Sequence, residues 1–86
     1  MSVAQRIRET LQQTFAPAAL EVTDESERHQ GHAGARPGGE THFRVKIVAE
    51  AFRGKTRVAA HRMIYAALEA EIARSVHALA IEASAP

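Results

Sequence analysis

The stretch "HFRVKIV", residues 42–48, decides the fold. Phe43, Val45 and Ile47 share one parity and His42, Arg44 and Lys46 the other, the period-two pattern of a strand with one buried face. Upstream, "LEVTDE" (residues 20–25) repeats that pattern, with Leu20 and Val22 alternating with Glu21 and Thr23. Two strands joined by a long Gly- and Pro-rich connection most simply pair as an antiparallel hairpin. Downstream, "VHALAIEA" (residues 76–83) alternates Leu79 and Ile81 with Ala78, Ala80 and Glu82, which predicts a third strand.

The segments around these strands read as helices. Val3, Ile7, Leu11 and Phe15 recur every four residues among polar neighbours, and Ser2 with Gln5 has the spacing of a capping box. A first helix should therefore run to about Phe15, closed by Pro17. In "AFRGKTRVAAHRMIYAALEAEIARS" (residues 51–75), Val58, Ile64, Tyr65, Leu68 and Ile72 have helical spacing. A second helix, whole or broken in two, should span about 56–74, with Gly54 at the turn before it. Strand, helix and strand in this order require a crossover, so the third strand should lie parallel to the second. The predicted class is α+β: an αββαβ sandwich, with helices on one face of a three-stranded mixed sheet.

At 86 residues the chain suits one compact domain, residues 1–86, and not two. A domain this small buries only roughly 60% of its unfolded surface, which leaves little room for an enclosed substrate cavity. Eleven Lys and Arg against ten Asp and Glu give a net charge of +1, so any attraction to nucleic acid must be local. The lack of cysteine excludes disulfides and thiolate ligands from this chain and suits a reducing compartment. The polar N-terminus lacks the apolar core of a secretory signal, and no later run reaches bilayer length. These features lead us to expect a soluble, cytoplasmic protein without membrane contact.

Three groups of residues could carry chemistry. The connection "ESERHQGHAGARPGGETHF" (residues 25–43) holds three of the five histidines and four of the five glycines. His29 and His32 form an H-x-x-H pair, with His42 opening the strand that follows. Imidazoles at this spacing suit zinc or iron, and are equally compatible with a solvated loop. His77, at the start of the last strand, either is buried and satisfied by backbone or presents a nitrogen at the sheet edge. Arg53, Lys55, Arg57, His61 and Arg62 lie together with no acidic residue between them. They could contact phosphates or form a solvated basic face; cations at a helix N-terminus oppose its dipole, and no aromatic is interleaved to stack on bases. No serine or carboxylate constellation suggests catalysis, so we expect a protein that is not an enzyme.

The segments "LEVTDES", "GGETHFRVKIV", "HRMIYAALEAE" and "VHAL", in this order and spacing, resemble the BolA-like family across essentially the whole chain. The resemblance implies a fold related to type II KH domains. It also implies two functions. One is partnership with a monothiol glutaredoxin, with which the chain would share a 2Fe-2S cluster; glutaredoxin supplies one cysteine, bound glutathione another, and the BolA-like chain two further ligands. By motif these fall on His77 of "VHAL" and on His29 of "ESERH", with His32 as substitute. No cofactor is then expected in the isolated chain. His42 of "ETHF", as an outward strand residue, should serve the fold or the partner surface. Imidazole in place of thiolate should raise the cluster potential and make binding acid-sensitive, because protonated imidazole cannot ligate. The other implied function is DNA-binding transcriptional regulation linked to stress and cell shape. "GKTR" from Gly54 lacks the second glycine of a KH G-x-x-G grip, so DNA binding would rest on Arg53, Lys55, Arg57, His61 and Arg62.

Overall fold

The computed structural model describes residues 2–25 and 42–86. Its elements are α1 (Val3–Phe15), β1 (Ala19–Asp24), β2 (His42–Val48), a 3-10 turn (Glu50–Phe52), α2 (Arg57–Ala67), α3 (Glu69–Arg74) and β3 (Ala78–Ser84). The sheet order is β1-β2-β3, with β1 antiparallel and β3 parallel to β2. β2 is central because its alternation is the most complete: Phe43, Val45 and Ile47 are buried against the helices, while Arg44 and Lys46 are exposed on the opposite face. The register sets Val22 opposite Val45 on one side and Ile81 opposite Val45 on the other, so one apolar row crosses all three strands.

α1 begins as its sequence requires. The Ser2 hydroxyl accepts a hydrogen bond from the Gln5 N–H at 3.1 Å, and the Ser2 N–H donates to the Gln5 side chain at 3.2 Å, satisfying two otherwise unpaired donors. It lays Val3, Ile7 and Leu11 into the core. The helix closes one residue before Pro17, at Ala16, whose φ of 45° is left-handed and whose N–H bonds Gln12 O at 3.0 Å. Phe15 then packs on Phe52 of the 3-10 turn, ring centroids 5.1 Å apart. That turn breaks the chain direction before Gly54, whose φ of 75° only glycine adopts without strain.

The second predicted helix is divided at Leu68, which has φ −99° and ψ 13° and is 1% exposed. The division lets α3 rotate Glu71 inward, where its carboxylate accepts from the Arg6 guanidinium at 3.0 Å and so joins α3 to α1. Two expected core residues lie outside the core. Val58 is 56% and Tyr65 43% exposed, because Ala60 and Ile64, not Val58 and Tyr65, define the face that α2 buries. Helical spacing alone admitted both stripes.

Candidate functional site

The parallel pairing of β2 and β3 builds the candidate site at its starting end. The register places His42 beside Ala78, so the residue just before Ala78 arrives next to the first residue of β2. That residue is His77. At the end of α3 the N–H groups of Ser75 and Val76 both bond Glu71 O, at 2.9 and 3.1 Å, a closing turn that anchors Val76 in the core at 8% exposure. The chain then leaves the interior, and His77 is exposed. Of the two fates open to His77 in the sequence, burial with backbone satisfaction is therefore not the one adopted.

His42 departs from its expected place. It has the parity of exposed Arg44 and Lys46, yet it is only 5% exposed, and its ring lies against that of His77 with centroids 5.3 Å apart and planes tilted by 53°. Alternation predicts which face a side chain takes, not what stands on that face. The signal that finds this contact is the parallel register, which makes 42 and 78, and hence 77, neighbours. Backbone further ties the corner: the Glu25 N–H donates to His42 O at 2.8 Å, and the Arg44 guanidinium pairs with the Glu25 carboxylate at 3.1 Å. Beside His42 runs an open groove of about 280 Å³, bordered by Glu25, His42, Arg44, Ala78 and Ala80.

His29 and His32 lie outside the described residues. Among the described residues no three His, Cys, Asp or Glu side chains converge on a common point. The donor set present is nitrogenous, and an exposed imidazole suits a borderline metal carried by another molecule; with no cysteine in the chain, any thiolate must come from outside.

The basic residues do not act as one set. Arg53 is bonded to Glu50 through both its Nε and Nη2, and Nη2 also donates to Pro86 O at 3.0 Å. The Glu50 bond raises its pKa above the ordinary arginine value, against a smaller desolvation effect. Arg53 therefore ties the α2 approach to the C-terminus rather than standing as a free cation. His61 is half-buried, whereas Lys55, Arg57 and Arg62 are exposed and make no ion pair with another described residue. Further along α2, the Tyr65 hydroxyl donates to Leu79 O at 3.3 Å. Ser84 O accepts from Ala49 N–H on the β2 side, so by alternation Leu79 O points to the outer edge of the sheet. Tyr65 thus covers part of an otherwise open edge, which accounts for its exposure. No helix among the described residues is long and apolar enough to cross a membrane.

Comparison with known proteins places this geometry among relatives. The family described as "BolA-like protein" matches residues 11–86. SufE-like protein 1, chloroplastic/mitochondrial, of Arabidopsis thaliana is 47% identical over 85 residues, 94% of this chain but 23% of that much longer protein. The DNA-binding transcriptional regulator BolA of Escherichia coli is 44% identical over 81 residues, covering 94% of this chain and 73% of its own length. Among solved structures, the BolA domain of SufE1 from Arabidopsis thaliana superposes with a TM-score of 0.88 at 44% identity, over 100% of this chain and 94% of that one.

Proposed function

The chain belongs to the BolA-like family, and on that premise we propose that it is a non-enzymatic adaptor that pairs with a monothiol glutaredoxin and co-ligates a 2Fe-2S cluster. The observation that carries this reading is the exposed imidazole of His77, held at the head of β3 by the buried Val76. A resident site would enclose its metal; an imidazole presented to solvent suits a metal delivered by a partner. When bound, the cluster supplies an electron-accepting centre that either protein alone would leave incompletely ligated. This chain's contribution is to present nitrogen donors, with His77 at the head of a parallel ladder, and to supply no thiolate that would compete with the partner's. His77 is one donor, and His29, with His32 as substitute, is the family-implied second.

Reconstituting the cluster with a monothiol glutaredoxin, with and without this chain, tests the reading. The expected result is a change in visible circular dichroism and a complex containing one copy of each protein. A spectrum indifferent to this chain would exclude it as a ligand donor.

A second reading, transcriptional regulation through DNA, is favoured by the exposed Lys55, Arg57 and Arg62 and by the Escherichia coli relative, which is named a DNA-binding transcriptional regulator. Arg53 contributes little to it, being held by Glu50 and Pro86. With about three phosphates neutralised, log K should fall against log salt with a slope of roughly −2 to −3. Replacing Lys55, Arg57 and Arg62 by Gln should flatten that slope, and Arg53→Gln should leave it nearly unchanged. Fluorescence anisotropy across a salt series measures both; a slope that persists in the triple variant removes this surface from the DNA interface.

A further inference from the structure

We propose that the outer edge of β3 is a self-association surface, on which a second copy of this chain adds its own β3, antiparallel about Ile81, and joins the two sheets into one. Among the described residues β3 is an edge strand, with β2 on one side and no strand on the other. Because Ser84 O accepts from the Ala49 N–H on the β2 side, alternation turns the N–H and C=O groups of Leu79, Ile81 and Ala83 outward. Such a row is a template for another strand.

The usual protections of an edge are scarce here. β3, "ALAIEAS", holds one charged residue, Glu82, and neither Lys nor Pro. Its register with β2 runs unbroken from Ala78 to Ser84, without a bulge. The opposite edge is better defended, since β1 carries Glu21 and Asp24. Val45 and Ile47 of β2 are 0% exposed, whereas Leu79, Ile81 and Ala83, on the same core face, are only partly buried, because no strand flanks them on the outer side.

A second copy is the occupant that this strand fits. In antiparallel pairing centred on Ile81, that residue faces Ile81 of the other copy, Leu79 faces the other Ala83, and Glu82 faces the other Ala80. The outward backbone groups then satisfy one another, an Ile–Ile pair closes over the core face, and no like charges meet across the new ladder. α2 adds to the join. Tyr65 reaches the β3 edge through its hydroxyl, and Val58 stands about two helical turns earlier on the same flank. They are the exposed large hydrophobics of the described residues, and the second copy's α2 would cover both. Arg62 lies exposed on that flank too and opposes the approach of its counterpart, so added salt should strengthen self-pairing, the reverse of its effect on DNA binding.

Tyr65 also restrains the association. Its hydroxyl bonds Leu79 O at 3.3 Å, the carbonyl to which the incoming Ala83 N–H would donate. The wild-type dimer is therefore weak and reversible.

Sedimentation velocity of the chain over a concentration series, joined to amide hydrogen exchange, tests the proposal without cluster or DNA, so its outcome is independent of both functional readings. Wild type should pass from monomer towards dimer as concentration approaches about 1 mM. Protection should rise at the Ile81 and Ala83 amides and not at Val22, which faces outward on the β1 edge. Tyr65→Phe keeps the ring, frees Leu79 O and should tighten the dimer about tenfold. Ala83→Pro removes an outward N–H while sparing the bonds to β2, and should abolish dimerisation. Ala80→Glu sets a carboxylate opposite Glu82 of the other copy and should weaken it. Far-UV circular dichroism establishes that each variant is folded. A chain that stays monomeric as both wild type and Tyr65→Phe overturns the proposal and leaves the edge to a strand from another protein. A dimer that survives Ala83→Pro, or protection gained at Val22 instead, puts the contact elsewhere and overturns it as well.

Discussion

Phe43→Ala should cost about 3–5 kcal/mol of stability, the range for truncating a fully buried aromatic. Phe43 is 2% exposed on the central strand, in register with Asp24 of β1 and Leu79 of β3, and belongs to the core between the sheet and the helices. Globular chains are stable by roughly 0.05–0.15 kcal/mol per residue, which for a chain of this length totals roughly 4–13 kcal/mol. The loss is therefore a large share of the whole, and urea denaturation should show a much lower midpoint or no folded baseline at all. Tyr65→Ala provides the contrast: the residue is 43% exposed, and its loss should cost about 1 kcal/mol, mainly the single bond to Leu79 O. If the two variants unfold at similar urea concentrations, β2 does not organise the core as described.

His77→Ala should leave stability within about 0.5 kcal/mol of wild type, as expected for an exposed residue, while removing the contribution of this chain to the partner-bound cluster spectrum. Separation of the two effects follows from position: Val76 is buried in the core, whereas His77 is exposed and meets the ring of His42 at the sheet's end. Visible circular dichroism of the reconstituted complex reads the ligand, and thermal unfolding of the free variant reads the fold. A variant complex with the wild-type spectrum would show that His77 is not a ligand, and a variant that unfolds much earlier would show that it is a packing residue instead.

The helical and strand elements were legible because each repeats its period long enough to be counted. Phe43, Val45 and Ile47 named a face, Ser2 and Gln5 named a helix start, and the order strand, helix, strand required parallel pairing of β2 and β3. The division at Leu68 was one of two outcomes the pattern allowed. Val58 and Tyr65 were misplaced because α2 carries two overlapping apolar stripes, and only the sheet beneath it selects Ala60 and Ile64. The candidate site was legible residue by residue: His77 could be singled out, but nothing local indicated that His42 would stand against it.

By itself, then, the sequence determined the α+β class, the central place of "HFRVKIV", and which histidines the chain holds, because periodicity and residue chemistry are local properties. Tertiary structure alone decided which of them meet. A parallel ladder joins residues 42 and 78 across more than thirty positions of intervening chain, and no local pattern encodes that register. A long-range contact likewise brought Arg53 to Pro86, beside its local pair with Glu50, and took it out of the free basic surface, leaving the exposed cations and the adjoining imidazoles as separate features of one small fold.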